Sequence, residues 1–306
     1  MNFSDIISRV TADTQASLPL FGPELILIGT IVALLLVRLF NADRYLPGSA
    51  VAILGTALAL ARAAGQFYAM QKGVGASGAE GFTQPPSIPL FTGLLLYDPF
   101  TVYFRIFLLL FLLFVEWLTI VTGLPDREDA PDFYTLLLGS TLGMLLMSSA
   151  NHLLMVFLAV EMTSVPSYAM VGFLKGRKTS SEAALKYVVY GAGAAGVMLY
   201  GISLLSGLLG SAHLPTLAKA LLEFGQQHSH IIDPAVGTLV LAILMILVGV
   251  AFKLSLFPFH FWCPDAFEGA AAEVGGFLSV ASKAGAFALL VRFCLALVGE
   301  TRTGSA

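Results

Sequence analysis

"GVAFKLSLFPFHFWCPDAFEGA", residues 249–270, begins as the end of an apolar helix and changes character within one turn. Lys253 stands inside the apolar run, Pro258 follows, and His260 comes just after it. Pro258 has no N–H to give the carbonyl of Leu254, and its ring opposes continuation of a helix. A backbone break at membrane depth is tolerated where it is buried in protein or lines water. His260 would share the face of Lys253 if the helix continued through the break. The stretch therefore reads as a broken transmembrane helix whose lysine faces an internal wet cavity. The competing reading is a lysine late in the run that snorkels to the nearer membrane face.

The rest of the chain supports that setting. Of 306 residues, 57% are hydrophobic and 11% charged, where soluble domains carry roughly a quarter charged. Mean hydropathy is +0.86. A net charge of -3 leaves no basic footprint for nucleic acid. Cys263 and Cys294 form neither a C-x-x-C pair nor a metal-ligand spacing and read as packing residues. Residues 1–17 carry Asp5, Arg9 and Asp13 without a basic n-region or an A-x-A site, so no cleaved signal peptide is expected.

A spanning helix needs about 20 mostly apolar residues. Eight segments qualify: 18–40, 46–68, 99–122, 132–150, 152–173, 182–208, 235–257 and 273–297. The fold class is an all-α integral membrane protein with about eight transmembrane helices, the seventh broken. Pro47-Gly48, Pro85-Pro86, Gly123-Leu124-Pro125 and Pro234 punctuate the gaps. Thr179-Ser180-Ser181-Glu182 reads as a capping box for helix 6. Residues 69–98 read as a loop rich in Gly and Pro, and 216–227 as a short helix lying on the membrane surface. The loops after helices 1, 3 and 5 hold Arg44, Arg127, Lys175, Arg177 and Lys178, with Arg38 ending helix 1. The opposite side holds Lys72, Lys219 and Arg9. This bias puts the first set, and the loop after helix 7, in the cytoplasm and the N-terminus outside.

Charges at membrane depth cost about 2.5–3.5 kcal/mol on insertion scales, so their default reading is functional. Glu161 lies near the middle of helix 5, on the face of Ser164 and Tyr168 and before Pro166. It must be neutral or paired with a cation on another helix, and pairing with Lys253 or Lys186 is expected. Lys283 lies deep in helix 8 on a face with Gly276, Ser279 and Ala286, which lets another helix approach closely. Lys186 sits near the start of helix 6, four residues after Glu182, and an interfacial i,i+4 pair explains it almost as well. Arg105 reads as snorkelling from the outer end of helix 3, Glu116 lies nearer its cytoplasmic end, and Glu24 reads as interfacial; structural roles are favoured for all three. One carboxylate and three lysines on helices 5–8 remain, a series able to pass protons through water by shifting each proton affinity in turn. His260 is a candidate relay, because neutral imidazole both donates and accepts. The sequence contains no haem site, Walker loop or dinucleotide fingerprint, so the chain reads as a proton or ion conductor and not a redox centre.

"EAALKYVVYGA", "FKLSLFPFHFWCPDAFEGA" and "SVASKAGAFALLVRF" closely resemble the subunit N family of NADH-quinone oxidoreductase (respiratory complex I), with "GPELILIG" and "YDPFTVYFR" fitting the same family. The resemblance covers essentially the whole chain. It implies an antiporter-like, proton-translocating membrane-arm subunit of a proton-translocating NADH:quinone oxidoreductase. Residues 1–131 would then form N-terminal transmembrane helices 1–3, and 132–306 the first inverted repeat, helices 4–8. The family's proton path maps onto Glu161, Lys186, Lys253 and Lys283. No cofactor is expected in this chain; NADH, FMN, iron–sulfur clusters and quinone are implied in partner subunits. Implied partners are the other membrane-arm subunits, the lipid bilayer and protons, in the cell (inner) membrane. The link "AAAEVGG" replaces the family's proline-rich connection. The family's second repeat, with its helix 12 lysine, is absent from the sequence. A separate chain supplying helices 9–14 is one expectation. The alternatives are a cation/proton antiporter subunit, a membrane-bound hydrogenase subunit, or a truncated assembly subunit that conducts nothing.

Overall fold

The computed structural model describes residues 3–40, 46–72, 87–126, 128–174, 176–227 and 233–303. Arg44, Pro85-Pro86, Arg127 and Lys175 lie outside them. In chain order the elements are α1 (Phe3–Ser17), α2 (Gly22–Leu39), α3 (Gly48–Gln71), β1 (Ile88–Leu90), β2 (Leu95–Tyr97), α4 (Pro99–Thr122), α5 (Ala130–Ser149), α6 (Leu153–Val171), α7 (Lys178–Leu209), α8 (Leu214–Gln227), α9 (Pro234–Leu254), α10 (Trp262–Gly269), α11 (Ala272–Phe277) and α12 (Lys283–Thr303). A π-helical segment, Leu278–Ser282, joins α11 to α12. Among the described residues, eight helices are long and apolar enough to cross a membrane, matching the eight expected spans.

Local chemistry sets several boundaries. Asp98 and Asp233 precede Pro99 and Pro234, and their carboxylates accept from Thr101 N at 2.8 Å and Ala235 N at 2.9 Å, capping α4 and α9. Gly123 and Gly210 end α4 and α7 in the left-handed conformation that glycine adopts at least cost. The capping box expected at Thr179–Glu182 does not form. Helix α7 already begins at Lys178, Ser180 Oγ donates to the Val171 carbonyl at 2.7 Å, and Glu182 pairs with Lys186. The serine found a tertiary acceptor at the end of α6 in place of a local one.

Part of the expected 69–98 loop is a hairpin, with Ile88 opposite Tyr97 and Leu90 opposite Leu95. Its turn receives α1: Asp13 Oδ2 accepts from Thr92 N at 2.6 Å and Ser17 Oγ from Phe91 N at 3.0 Å.

Helix α5 is central, packed by α2, α3, α4, α6 and α12. Its approach to α6 depends on Gly143. A Cβ there would lie 2.6 Å from the Thr163 nitrogen and 2.9 Å from the Met162 carbonyl carbon, both backbone atoms that cannot rotate away. Gly143→Ala should therefore separate the two helices and destabilise the protein by about 1–3 kcal/mol, read as a lower thermal midpoint in detergent.

Among the described residues, two ion pairs, one fully and one largely buried, join distant parts of the bundle. Arg105 is 1% exposed and does not snorkel. Its Nε donates to Glu24 Oε1 at 2.7 Å, and its Nη1 to Gln66 Oε1 and the Leu20 carbonyl, both at 3.1 Å. The expectation of an interfacial Glu24 fails for the same reason: each charge found its partner inside the α2–α3–α4 bundle. Arg292, on α12, donates to both Asp98 oxygens, to Thr101 Oγ1 and to the Ser148 carbonyl. Burial alone would push the Asp98 carboxyl up; the hydrogen bonds and charge of Arg292 outweigh it and hold it below its ordinary value. Glu116 is fully buried and accepts from Thr56 Oγ1 at 2.9 Å.

Candidate functional site

Helix α6 carries Pro166 in its interior, which removes one backbone donor. Around it the hydroxyls turn inward: Thr163, Ser164 and Ser167 donate to the carbonyls of Ala159, Val160 and Thr163 at 3.0, 2.6 and 2.6 Å. Such back-bonding favours a bend. From α5, Ser140 Oγ also donates to the Thr163 carbonyl, at 3.1 Å. Within this buried polar patch, Ser164 faces the end of α9.

Helix α9 breaks as the sequence required, but the break starts before the proline. Ser255 is left-handed (φ 56°), Ser255 N donates to the Phe252 carbonyl at 3.1 Å, and Leu256 N to the Ala251 carbonyl at 2.9 Å. That pair of bonds closes the helix end after Leu254. Pro258 lies in the following turn, so the N–H it lacks falls outside the helix. Trp262 then starts α10, and its Nε1 donates to the Phe252 carbonyl at 3.0 Å.

Lys253 sits in the last turn of α9 and is 2% exposed. Snorkelling is thereby excluded. Its Nζ donates to Ser164 Oγ at 2.9 Å. Glu161, one turn before Ser164 and half-buried, lies within electrostatic reach of Lys253. Among the described residues no direct ion pair joins them, and the serine hydroxyl is the polar group that Lys253 touches.

The other sequence candidates lie around this centre. Lys186 is part-exposed and forms the i,i+4 pair with Glu182, at 2.9 Å, and a second pair with Asp265 of α10 at 3.2 Å. A polar cleft of about 120 Å³ lies there, lined by Thr179, Glu182, Lys186, Asp265 and Glu268. Lys283 is half-buried where the π segment meets α12, with Nζ 5.8 Å from the ring centre of Phe267. His260 lies in the turn between α9 and α10, its ring stacked on Phe261 at 4.7 Å. Because the helix stops at Leu254, the spacing from Lys253 no longer places the two on one face. Among the described residues no hydrogen bond links them. The groove beside that turn, lined by Val197, Phe252, Pro258, Phe259 and Trp262, is apolar.

Short α10 touches each helix that carries one of the candidate lysines. Asp265 holds Lys186, Trp262 caps the carbonyl preceding Lys253 and stacks on Tyr187 at 4.3 Å, and Phe267 lies under Lys283. Gly269 lets it meet α7, since a Cβ there would lie 2.7 Å from the Thr179 carbonyl oxygen. Sequence reading missed this role, although "WCPDAFEG" carries all four residues.

Among the described residues, eight candidate spans, one of them broken at a buried lysine, define an antiporter-like membrane subunit. A family model described as NADH:quinone oxidoreductase/Mrp antiporter, TM, matches residues 150–303, and the chain belongs to that family. It is 35% identical to NADH-quinone oxidoreductase subunit N 2 of Chloroherpeton thalassium over 89% of this chain and 49% of that one. It is 38% identical to NADH-quinone oxidoreductase subunit N of an Anaeromyxobacter species over 92% and 52%. Among solved structures it is similar to a chain of Thermus thermophilus respiratory complex I with bound aureothin, at 32% identity and a TM-score of 0.66 over 88% of this chain and 52% of that chain. The chain spans about half the length of the curated relatives it matches.

Proposed function

We propose that this chain translocates protons as a membrane-arm subunit of a NADH-quinone oxidoreductase, in the cell (inner) membrane, with its N-terminus outside. Electron transfer from NADH to quinone, with its flavin and iron–sulfur clusters, belongs to partner subunits. Residues 1–131 act as an N-terminal bundle and 132–306 as the translocating repeat. The observation that carries the reading is the buried Lys253, bonded to Ser164 at a helix break and within reach of Glu161. A lysine so placed gains and loses a proton at modest cost, where lipid would force it neutral and bulk water would keep it charged. Lys186, beside a polar cleft, exchanges protons with one aqueous side. Lys283 continues the series beyond Phe267.

Inverted membrane vesicles energised with NADH test this. Deleting the chain should abolish NADH-driven acidification, and restoring it should bring acidification back; acidification unchanged by deletion would overturn the function. Lys283→Ala should leave quinone reduction largely intact and lower proton uptake roughly tenfold or more, since a positioned proton carrier is worth at least that much. Uptake per NADH equal to the unmodified protein would take Lys283 off the path.

A further inference from the structure

We infer that Ser164 is a positioning residue for proton translocation: its hydroxyl holds the ammonium of Lys253 in the gap between α6 and α9, one helical turn from Glu161. The inference rests on the proposed function above and names a group that neither the sequence reading nor the comparisons assign.

Ser164 is 2% exposed and Lys253 is 2% exposed, so neither bond partner exchanges readily for bulk water. Lys253 has three donors and no acceptor. Among the described residues, the Ser164 oxygen, at 2.9 Å, is the acceptor it uses. The same hydroxyl donates to the Val160 carbonyl at 2.6 Å, which fixes where its proton points and turns its lone pairs toward α9. The polarity runs one way: Lys253 Nζ–H to Ser164 Oγ, then Ser164 Oγ–H to Val160 O. Two neighbouring hydroxyls make the same backward bond without reaching Lys253. Thr163 and Ser167 point toward α5, where Ser140 Oγ lies 3.2 Å from Ser167 Oγ. Ser164 is therefore the hydroxyl of this patch aimed at the lysine.

Removing that hydroxyl affects Lys253 most, because its other partners, the Val160 carbonyl and the Tyr168 side chain, lie on α6 with it. The Val160 carbonyl lies inside α6 and keeps its helical acceptor role without the side chain. The Lys253 ammonium loses its hydrogen bond and its fixed position. A buried donor left unpaired is costly, and more so when charged. The loss falls on the lysine's placement relative to Glu161, with little effect on α6.

Four variants in inverted vesicles test this, each read as NADH-driven proton uptake divided by NADH oxidised, with the chain's abundance in the membrane measured alongside. Ser164→Ala should lower the ratio about tenfold while the chain stays in the membrane. Ser164→Thr and Ser164→Val add the same bulk and differ only in the hydroxyl, so Thr should restore pumping and Val should not. Lys253→Met serves as the control that separates the two ideas. If Lys253→Met abolishes uptake and Ser164→Ala pumps normally, Ser164 has no positioning role although the function stands. If Lys253→Met itself pumps normally, the proposed proton path fails. Equal pumping by Thr and Val would show that shape and not the hydroxyl matters, and would also overturn the inference. Should both bulky variants be absent from the membrane, Ser164→Ala against Lys253→Met decides alone.

Discussion

Lys253→Arg should abolish proton uptake while permitting assembly and leaving some quinone reduction, a loss of about 100-fold or more in NADH-driven acidification. Arginine keeps the positive charge that Glu161 and Ser164 face, so a counter-charge role would survive the exchange. It does not release its proton near neutral pH, so a loading role would not. The guanidinium is also larger, and the site is 2% exposed, so overpacking of about 1–3 kcal/mol is expected. Lys253→Met, nearly the same length and uncharged, removes that ambiguity and should block uptake equally. Both variants are read by pH-gradient dyes in inverted vesicles matched for quinone reductase activity. Normal uptake in Lys253→Arg would make the lysine a fixed counter-charge of Glu161.

Much of this arrangement is legible in the chain because membrane depth is unforgiving. Eight apolar runs gave the eight spans, since backbone groups in lipid must be satisfied within helices. Lys253 stood out because a lysine near a proline in an apolar run has few explanations, and its burial removed the snorkelling one. What stayed hidden depends on which helices are neighbours. Arg105 and Glu24 each looked interfacial from their own run, but residues 81 positions apart meet at 2.7 Å. Periodicity along one helix carries no record of that contact. Pro258 drew attention as the helix breaker, yet Ser255 ends α9, because a serine in the left-handed region leaves no mark in composition. The π segment before Lys283 was missed for a related reason: LSVAS contains neither Pro nor Gly to announce a change in winding. In α10, Asp265 and Phe267 read as ordinary residues of a short amphipathic turn until α7 and α12 are seen on either side.

Arg105→Met should produce the largest loss of stability in the chain, about 3–5 kcal/mol, because it leaves one member of a buried ion pair without its partner. Glu24 is 0% exposed, Gln66 is 5% exposed, and both accept no other side-chain donor among the described residues. With the guanidinium gone, the carboxylate must take up a proton or draw water between α2 and α4, and either change loosens the bundle. The companion variant decides whether charge or packing is responsible. Arg105→Met combined with Glu24→Leu removes both charges and replaces them with apolar bulk, and buried pairs exchanged this way are often neutral in stability. The double variant should therefore recover most of the loss, giving a coupling energy of about 2–3 kcal/mol, of the size found between residues in direct contact. Thermal midpoints in detergent for the unmodified protein, Arg105→Met, Glu24→Leu and the double variant supply the four corners of the cycle. A double variant as unstable as the single one would mean that the arginine orders α3 through Gln66 and the Leu20 carbonyl, with its bond to Glu24 contributing little. An Arg105→Met midpoint equal to the unmodified protein would remove the pair altogether as the reason α2, α3 and α4 stand where they do.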